Sequence, residues 1–161
     1  MIVRPYTDDD RKLLERFVSG IQGHISTIDP LLRTRPAEEF SSAIYVDNLL
    51  RKVLTMNGVI LLGEMNGIVA GCVAGIIKEA TEEDLVDLFP FRHGRVLELF
   101  VDPAFRGQKI GPILLHHMEE YFRQQHCTVS ELGCIATNVV ALQCYRKAGY
   151  TDGAIDLYKQ L

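Results

Sequence analysis

The sequence predicts an α/β fold, a mixed sheet of six to seven strands flanked by helices and built as one domain over residues 1–161. Three observations predict it. Runs of β-branched and apolar residues alternate with stretches whose apolar side chains recur at helical spacing. Asn66-Gly67 sits between two such runs and tolerates positive φ, the mark of a tight antiparallel hairpin. A chain of 161 residues, 47% hydrophobic and 24% charged, suffices for one buried core and leaves no room for a second.

The elements follow in order. Ile2 to Pro5 alternates weakly, as a short edge strand does. Thr7 with Asp10 three positions on forms a capping box for a helix carrying Leu13, Leu14, Phe17, Val18 and Ile21 on one face. That helix is expected to end near Gly20 to Gly23. After an irregular stretch, Pro36 suits the first turn of a second helix using Phe40, Ala43, Ile44, Leu49, Leu50, Val53 and Leu54, stopped by Asn57-Gly58. Val59 to Gly63 and Ile68 to Lys78 read as two central antiparallel strands. Glu79, Glu82, Glu83, Asp84 and Asp87 then form an acidic excursion, read either as a solvated segment or as a lid facing a cationic substrate. Arg95 to Val101 is a third apolar strand, broken by Asp102-Pro103, and a loop to Gly111 leads into a helix beginning at Pro112. Thr128 to Ala136 reads as a strand and Asn138 to Lys147 as a helix capped by Gly149. Tyr150 to Tyr158 is expected to close the sheet.

Composition excludes several functions. Against 21 acidic residues stand 17 basic ones, and a net charge of −4 argues against a protein built to coat nucleic acid or an anionic membrane. The four cysteines match neither a zinc-ligand spacing nor a dense disulfide framework, so free thiols in a cytoplasmic protein are expected. The N-terminus lacks a signal-peptide core, and the longest apolar run, Ile68 to Ile77, is far short of the ~20 residues that span a bilayer. His116-His117 lacks the spacing of a metal pair, and no metal is expected. A nucleophilic pairing of Cys134 or Cys144 with a histidine is less favoured than inert buried thiols.

The most informative unit is the strand, loop and helix from Arg95 onward. Arg106-Gly107-Gln108-Lys109-Ile110-Gly111 puts a basic, glycine-bearing turn directly before a helix, where backbone N–H groups lack intrahelical partners and the helix dipole favours an anion. The turn is neither a nucleotide P-loop nor a dinucleotide fingerprint. Its setting narrows the reading: Leu99-Phe100-Val101-Asp102-Pro103 precedes it, and Asn138, Ala141, Tyr145, Gly149 and Tyr150 follow the next strand.

With these motifs the chain resembles the GNAT superfamily of N-acetyltransferases, most closely from Arg95 to Tyr150. The Arg106 loop is similar to the family's cofactor motif, with Lys109 standing where the pattern has its first glycine. Asn138 with Ala141, Tyr145, Gly149 and Tyr150 matches the second family motif in spacing and type. The resemblance implies a centrally splayed sheet, acetyl-coenzyme A as donor, its pyrophosphate on Arg106 to Gly111, and its pantetheine arm alongside Leu99, Phe100 and Val101. Asn138 would hold that arm. It also implies direct attack by an amine acceptor in a ternary complex, a main-chain donor near Val101 for the thioester oxygen, and a homodimer as a candidate assembly. Tyr145 is the implied general acid; the alternative is that it only packs its helix on the sheet.

An amine must be uncharged to attack, whereas a lysine-type amine is mostly protonated at neutral pH, so a base or a water relay is needed. Glu98, a carboxylate in an apolar strand, is the candidate, against the reading that it pairs with Arg92 or Arg95. Glu131 on the next strand is the second choice. The competing function is an acyl-coenzyme A sensor with the same fold and no turnover.

Overall fold

The computed structural model describes residues 1–159. Its sheet has five strands in the order β1 (Ile2–Pro5), β2 (Val59–Met65), β3 (Ile68–Glu79), β4 (Arg92–Val101) and β5 (Val129–Leu132). The first four pair antiparallel in sequence order, and β5 joins β4 in parallel. Such a parallel addition needs a crossover, supplied by helix α3 (Ile110–Gln124). Asn66 at φ 53° and Gly67 at φ 77° close the expected β2–β3 hairpin. Helices α1 (Arg11–Ile28) and α2 (Ser42–Thr55) cover one face, and α3 covers the other.

Two cores result. Leu14, Phe17, Val18, Val46 and Leu49 meet Ile60, Leu62, Cys72, Ala74 and Phe100 on the first face. Ile110, Leu114, Leu115, Met118 and Phe122 meet Ala70, Val73, Ile77 and Val96 on the second. Being covered on both faces, β3 is buried continuously from Ala70 to Ile77, which explains its unbroken apolar run.

The α3 face works only because glycines clear it. A Cβ on Gly94 would lie 2.1 Å from Cγ of Phe122, so the ring rests on bare backbone. Gly94→Ala is expected to cost about 1–3 kcal/mol. Urea unfolding checks this: the midpoint should fall with an unchanged slope, and an unmoved midpoint would show that Phe122 can slide away freely.

Several boundaries differ from the sequence reading. Gly20 and Gly23 do not end α1, which runs on to Ile28. Gly20 instead lies beneath Phe100, whose Cζ would be 2.8 Å from an added Cβ. The chain turns at Asp29, whose carboxylate accepts from the backbone N–H groups of Leu31, Arg33 and Thr34 and from the Thr34 hydroxyl. Pro36 opens only one 3-10 turn, and α2 starts at Ser42 because Phe40 is extended. Likewise α3 starts at Ile110, which leaves Pro112 in its first turn where no N–H is needed.

The sheet has five strands and not six or seven. The last strand expected from Tyr150 to Tyr158 is absent, and these residues form no ladder with β5. Asp152 is held by Arg146 at 2.9 Å and the Tyr158 ring lies 4.9 Å from the Arg33 guanidinium, so the segment leads toward the α1–α2 connection. None of the described helices is long and apolar enough to cross a membrane.

Candidate active site

The site begins where two strands part. Pairing of β5 with β4 ends at Val96 and Leu132, yet β4 continues to Val101. Leu97 to Val101 therefore presents a ladder edge with no strand beside it on that side, and β5 diverges at Gly133. An extended ligand can hydrogen-bond to such an edge as an added strand would. The side chains of the expected cofactor residues are otherwise engaged. Leu99 and Val101 pack toward α3, and Phe100 lies in the other core with its ring 5.1 Å from Phe17. What these three residues offer a ligand is main chain.

A bulge re-aims the neighbouring carboxylate. Ala74 pairs with Glu98 but Gly75 pairs with Val96, leaving Leu97 as the extra residue. Without it, strict alternation would put Glu98 on the α3 side with Val96. With it, Glu98 turns toward α2 and accepts a hydrogen bond from the Tyr45 hydroxyl. Tyr45, Asn48, Leu49, Lys52, Leu97 and Glu98 line a cavity of about 190 Å³. Burial pushes the Glu98 carboxyl above the usual carboxylate range, outweighing the Tyr45 hydrogen bond and the Lys52 charge, which both pull it down.

Glu98 pairs with neither arginine considered for it. Arg92 is engaged by Glu79 and the Gln125 carbonyl, and Arg95 by Glu131 at 3.2 Å. Glu131 also meets Lys78 at 3.0 Å, and the two cations overcome its burial to keep it ionised. It is a tie between strands β3, β4 and β5. The acidic excursion lies at the Arg92 end of β4, about 16 Å of strand from Leu97, where the gap begins.

Beyond β4, Asp102 caps the short turn Pro103–Phe105 by accepting from the Ala104 N–H at 3.0 Å. Gly107 at φ 80° and Lys109 at φ 62° then bend the chain into α3. The left-handed conformation at Lys109 is one that glycine adopts without strain, so the turn is made despite the lysine. Among the described residues, no N–H from Gly107 to Gly111 has an acceptor. Five neighbouring free donors, on Gly107, Gln108, Lys109, Ile110 and Gly111, at a helix N-terminus are the kind of groups that can hold an anion. The Arg106 side chain is not among them. Its Nε donates to the Val101 carbonyl at 3.2 Å, folding the guanidinium back over the end of β4.

On the far side of the gap, Asn138 begins α4 (Val139–Lys147) and its Oδ1 accepts from the Ala141 N–H at 3.2 Å. Its amide oxygen is thus spent as a helix cap, and Nδ2 is what remains for a ligand. Tyr145 packs against the α3-side core with its ring 6.2 Å from that of Tyr150. The Tyr150 hydroxyl bonds Ser130 at 2.6 Å, whereas the Tyr145 hydroxyl has no partner among the described residues. Burial, with Cys134, Cys144, Tyr150 and Glu98 adding to it, pushes the Tyr145 phenol up to about 12. The cysteines offer no activated thiolate at Cys72, Cys127 or Cys134, since burial raises all three.

Residues 27–150 match the model of the acetyltransferase (GNAT) family. The chain belongs to the GNAT family. No curated protein matches it in sequence. Solved structures share the fold: a mutant BH1408 protein from Bacillus halodurans has a TM-score of 0.86 at 15% identity, covering 100% of this chain and 99% of that one. An aminoglycoside 6'-N-acetyltransferase from Acinetobacter haemolyticus has a TM-score of 0.70 at 15% identity, covering 100% and 98%. Glucosamine-6-phosphate N-acetyltransferase from Arabidopsis thaliana has 0.58 at 18% identity, covering 99% and 97%. In this GNAT chain sequence reasoning missed Tyr45, Asn48 and Lys52. Their spacing along α2 placed them on one stripe, but nothing local showed that the stripe faces Glu98.

Proposed function

We propose that the chain transfers an acetyl group from acetyl-coenzyme A to a primary amine of a small molecule or peptide, by direct attack in a ternary complex. The observation that carries this reading is the unpartnered edge of Leu97 to Val101, which runs toward the donor cradle of Gly107 to Gly111. The edge suits an amide-bearing arm and the cradle a pyrophosphate, which are the two chemically distinct parts of the donor. Two structural neighbours are named for N-acetyl transfer, to an aminoglycoside and to glucosamine-6-phosphate.

Each residue then has a task. Glu98, directly or through one water, takes the proton from the attacking amine, and its raised affinity for protons brings it nearer to that amine's own. A main-chain N–H near Val101 stabilises the oxygen of the acyl group as its carbon turns tetrahedral. The C–N bond forms, the C–S bond breaks, and Tyr145 gives its proton to the departing sulfur. Asn138 Nδ2 and the Gly107 to Gly111 amides hold the donor in register.

The test is a thermal-shift titration with acetyl-coenzyme A, with ATP and NAD as controls. A ligand at 100 times its Kd adds about 2.7 kcal/mol, or roughly 5–10 °C in Tm for a domain of this size. A selective, saturable rise followed by amine-dependent thiol release is the expected result. No rise at millimolar donor would overturn the proposal.

A further inference from the structure

The cavity beside Glu98 holds charge of both signs. Glu98 lines it from β4 and accepts from the Tyr45 hydroxyl, and Lys52 lines it from α2, two turns beyond Tyr45. Several cations elsewhere are matched, Arg4 by Asp10, Arg11 by Asp47 and Lys78 by Glu131, whereas Lys52 is the cation that lines the cavity. Among the described residues no carboxylate lies within 4.0 Å of the Lys52 ammonium. Arg51 donates to the Asn48 side-chain oxygen, which brings a second cation against a lining residue. The helix C-terminus accommodates a lysine at this place, but it does not require one that borders a cavity.

A cavity lined by a β4 carboxylate and by an α2 ammonium with no carboxylate within 4.0 Å among the described residues is complementary to a ligand carrying both signs. A polycation would put its second ammonium against Lys52 and Arg51. The acidic excursion, which would have favoured polycations, contributes no residue to the lining of this cavity.

We propose that the acceptor is an amine that also carries an anionic group, a carboxylate or a phosphate, with the amine directed to Glu98 and the anion to Lys52. This assignment rests on the reading that Glu98 is the base of acetyl transfer. Charge-assisted hydrogen bonding to Lys52 should favour such acceptors over neutral amines of equal length by about 10- to 100-fold in kcat/KM.

The experiment measures donor-dependent thiol release with four matched series: ω-amino carboxylates, aminoalkyl phosphates, neutral ω-amino carboxamides, and α,ω-diamines. One or both anionic series are expected to lead, and whichever leads identifies the anion as carboxylate or phosphate. Lys52→Gln should erase the ratio between anionic and neutral acceptors, and Lys52→Glu should turn the preference toward diamines. Lys52 is exposed, so neither variant threatens the core. Equal kcat/KM for neutral and anionic acceptors in the unaltered protein overturns the proposal. So does a Lys52→Gln variant that slows all four series alike and merely moves the pH profile, because Lys52 would then act only through Glu98. Turnover of no series, with acetyl-coenzyme A still raising Tm, overturns acetyl transfer itself and this assignment with it.

Discussion

Glu98→Gln is expected to lower the rate of acetyl transfer by about 10²- to 10⁴-fold, the usual loss when a general base is removed. Donor affinity should stay close to that of the unaltered chain, because the cradle at Gly107 to Gly111 is untouched. Steady-state rates and a donor titration together separate these effects. A variant within threefold of the original would assign the proton to solvent. The pH profile carries the same information. Glu98 acts only when ionised, and burial raises its proton affinity, so kcat/KM should fall as pH drops through a value above the ordinary carboxylate range. Tyr45 donates a hydrogen bond that favours the ionised form. Tyr45→Phe should therefore move the acid limb of the profile to higher pH, a displacement that a purely structural tyrosine would not produce.

The second large effect is expected at Tyr145. Tyr145→Phe keeps the ring that packs beside Tyr150 and loses a hydroxyl that bonds nothing among the described residues. Its stability cost should stay below about 1 kcal/mol, while turnover falls about 10²-fold through loss of the proton donor. With its phenol pushed up to about 12, Tyr145 remains protonated throughout the neutral range, so no alkaline limb from this residue should appear below that value. Undiminished turnover in Tyr145→Phe would leave the tyrosine a packing residue.

Much of the site is legible because its chemistry is local. The turn from Arg106 to Gly111 announces a helix start, and the free N–H groups that can hold an anion are a property of any such start. Asn138 caps α4 through Ala141, three residues on, and Asn66-Gly67 closes its hairpin with two residues of positive φ. Glu98 stands out because a carboxylate within an apolar strand needs a reason. Local reading also has a limit, shown by Gly20 and Gly23. Both look like helix stops, yet Gly20 serves the approach of Phe100, a residue eighty positions away. The expected last strand also fails: the segment after Tyr150 forms no ladder, and its contacts are instead Asp152 with Arg146 and Tyr158 with Arg33.

The sequence by itself determined the order of the elements from β1 to α4, the β2–β3 hairpin and the helix start after Lys109, and it singled out Glu98, Asn138 and Tyr145 as candidates, because each of these signals comes from residues within a few positions of one another. Only the tertiary structure decided which way Glu98 points, where β5 leaves β4, and that Tyr45 and Lys52 share a cavity with Glu98. The physical reason is register. A single extra residue at Leu97 turns Glu98 to the other face of the sheet, and that residue counts as extra only against its pairing with β3, twenty-odd positions back in the chain.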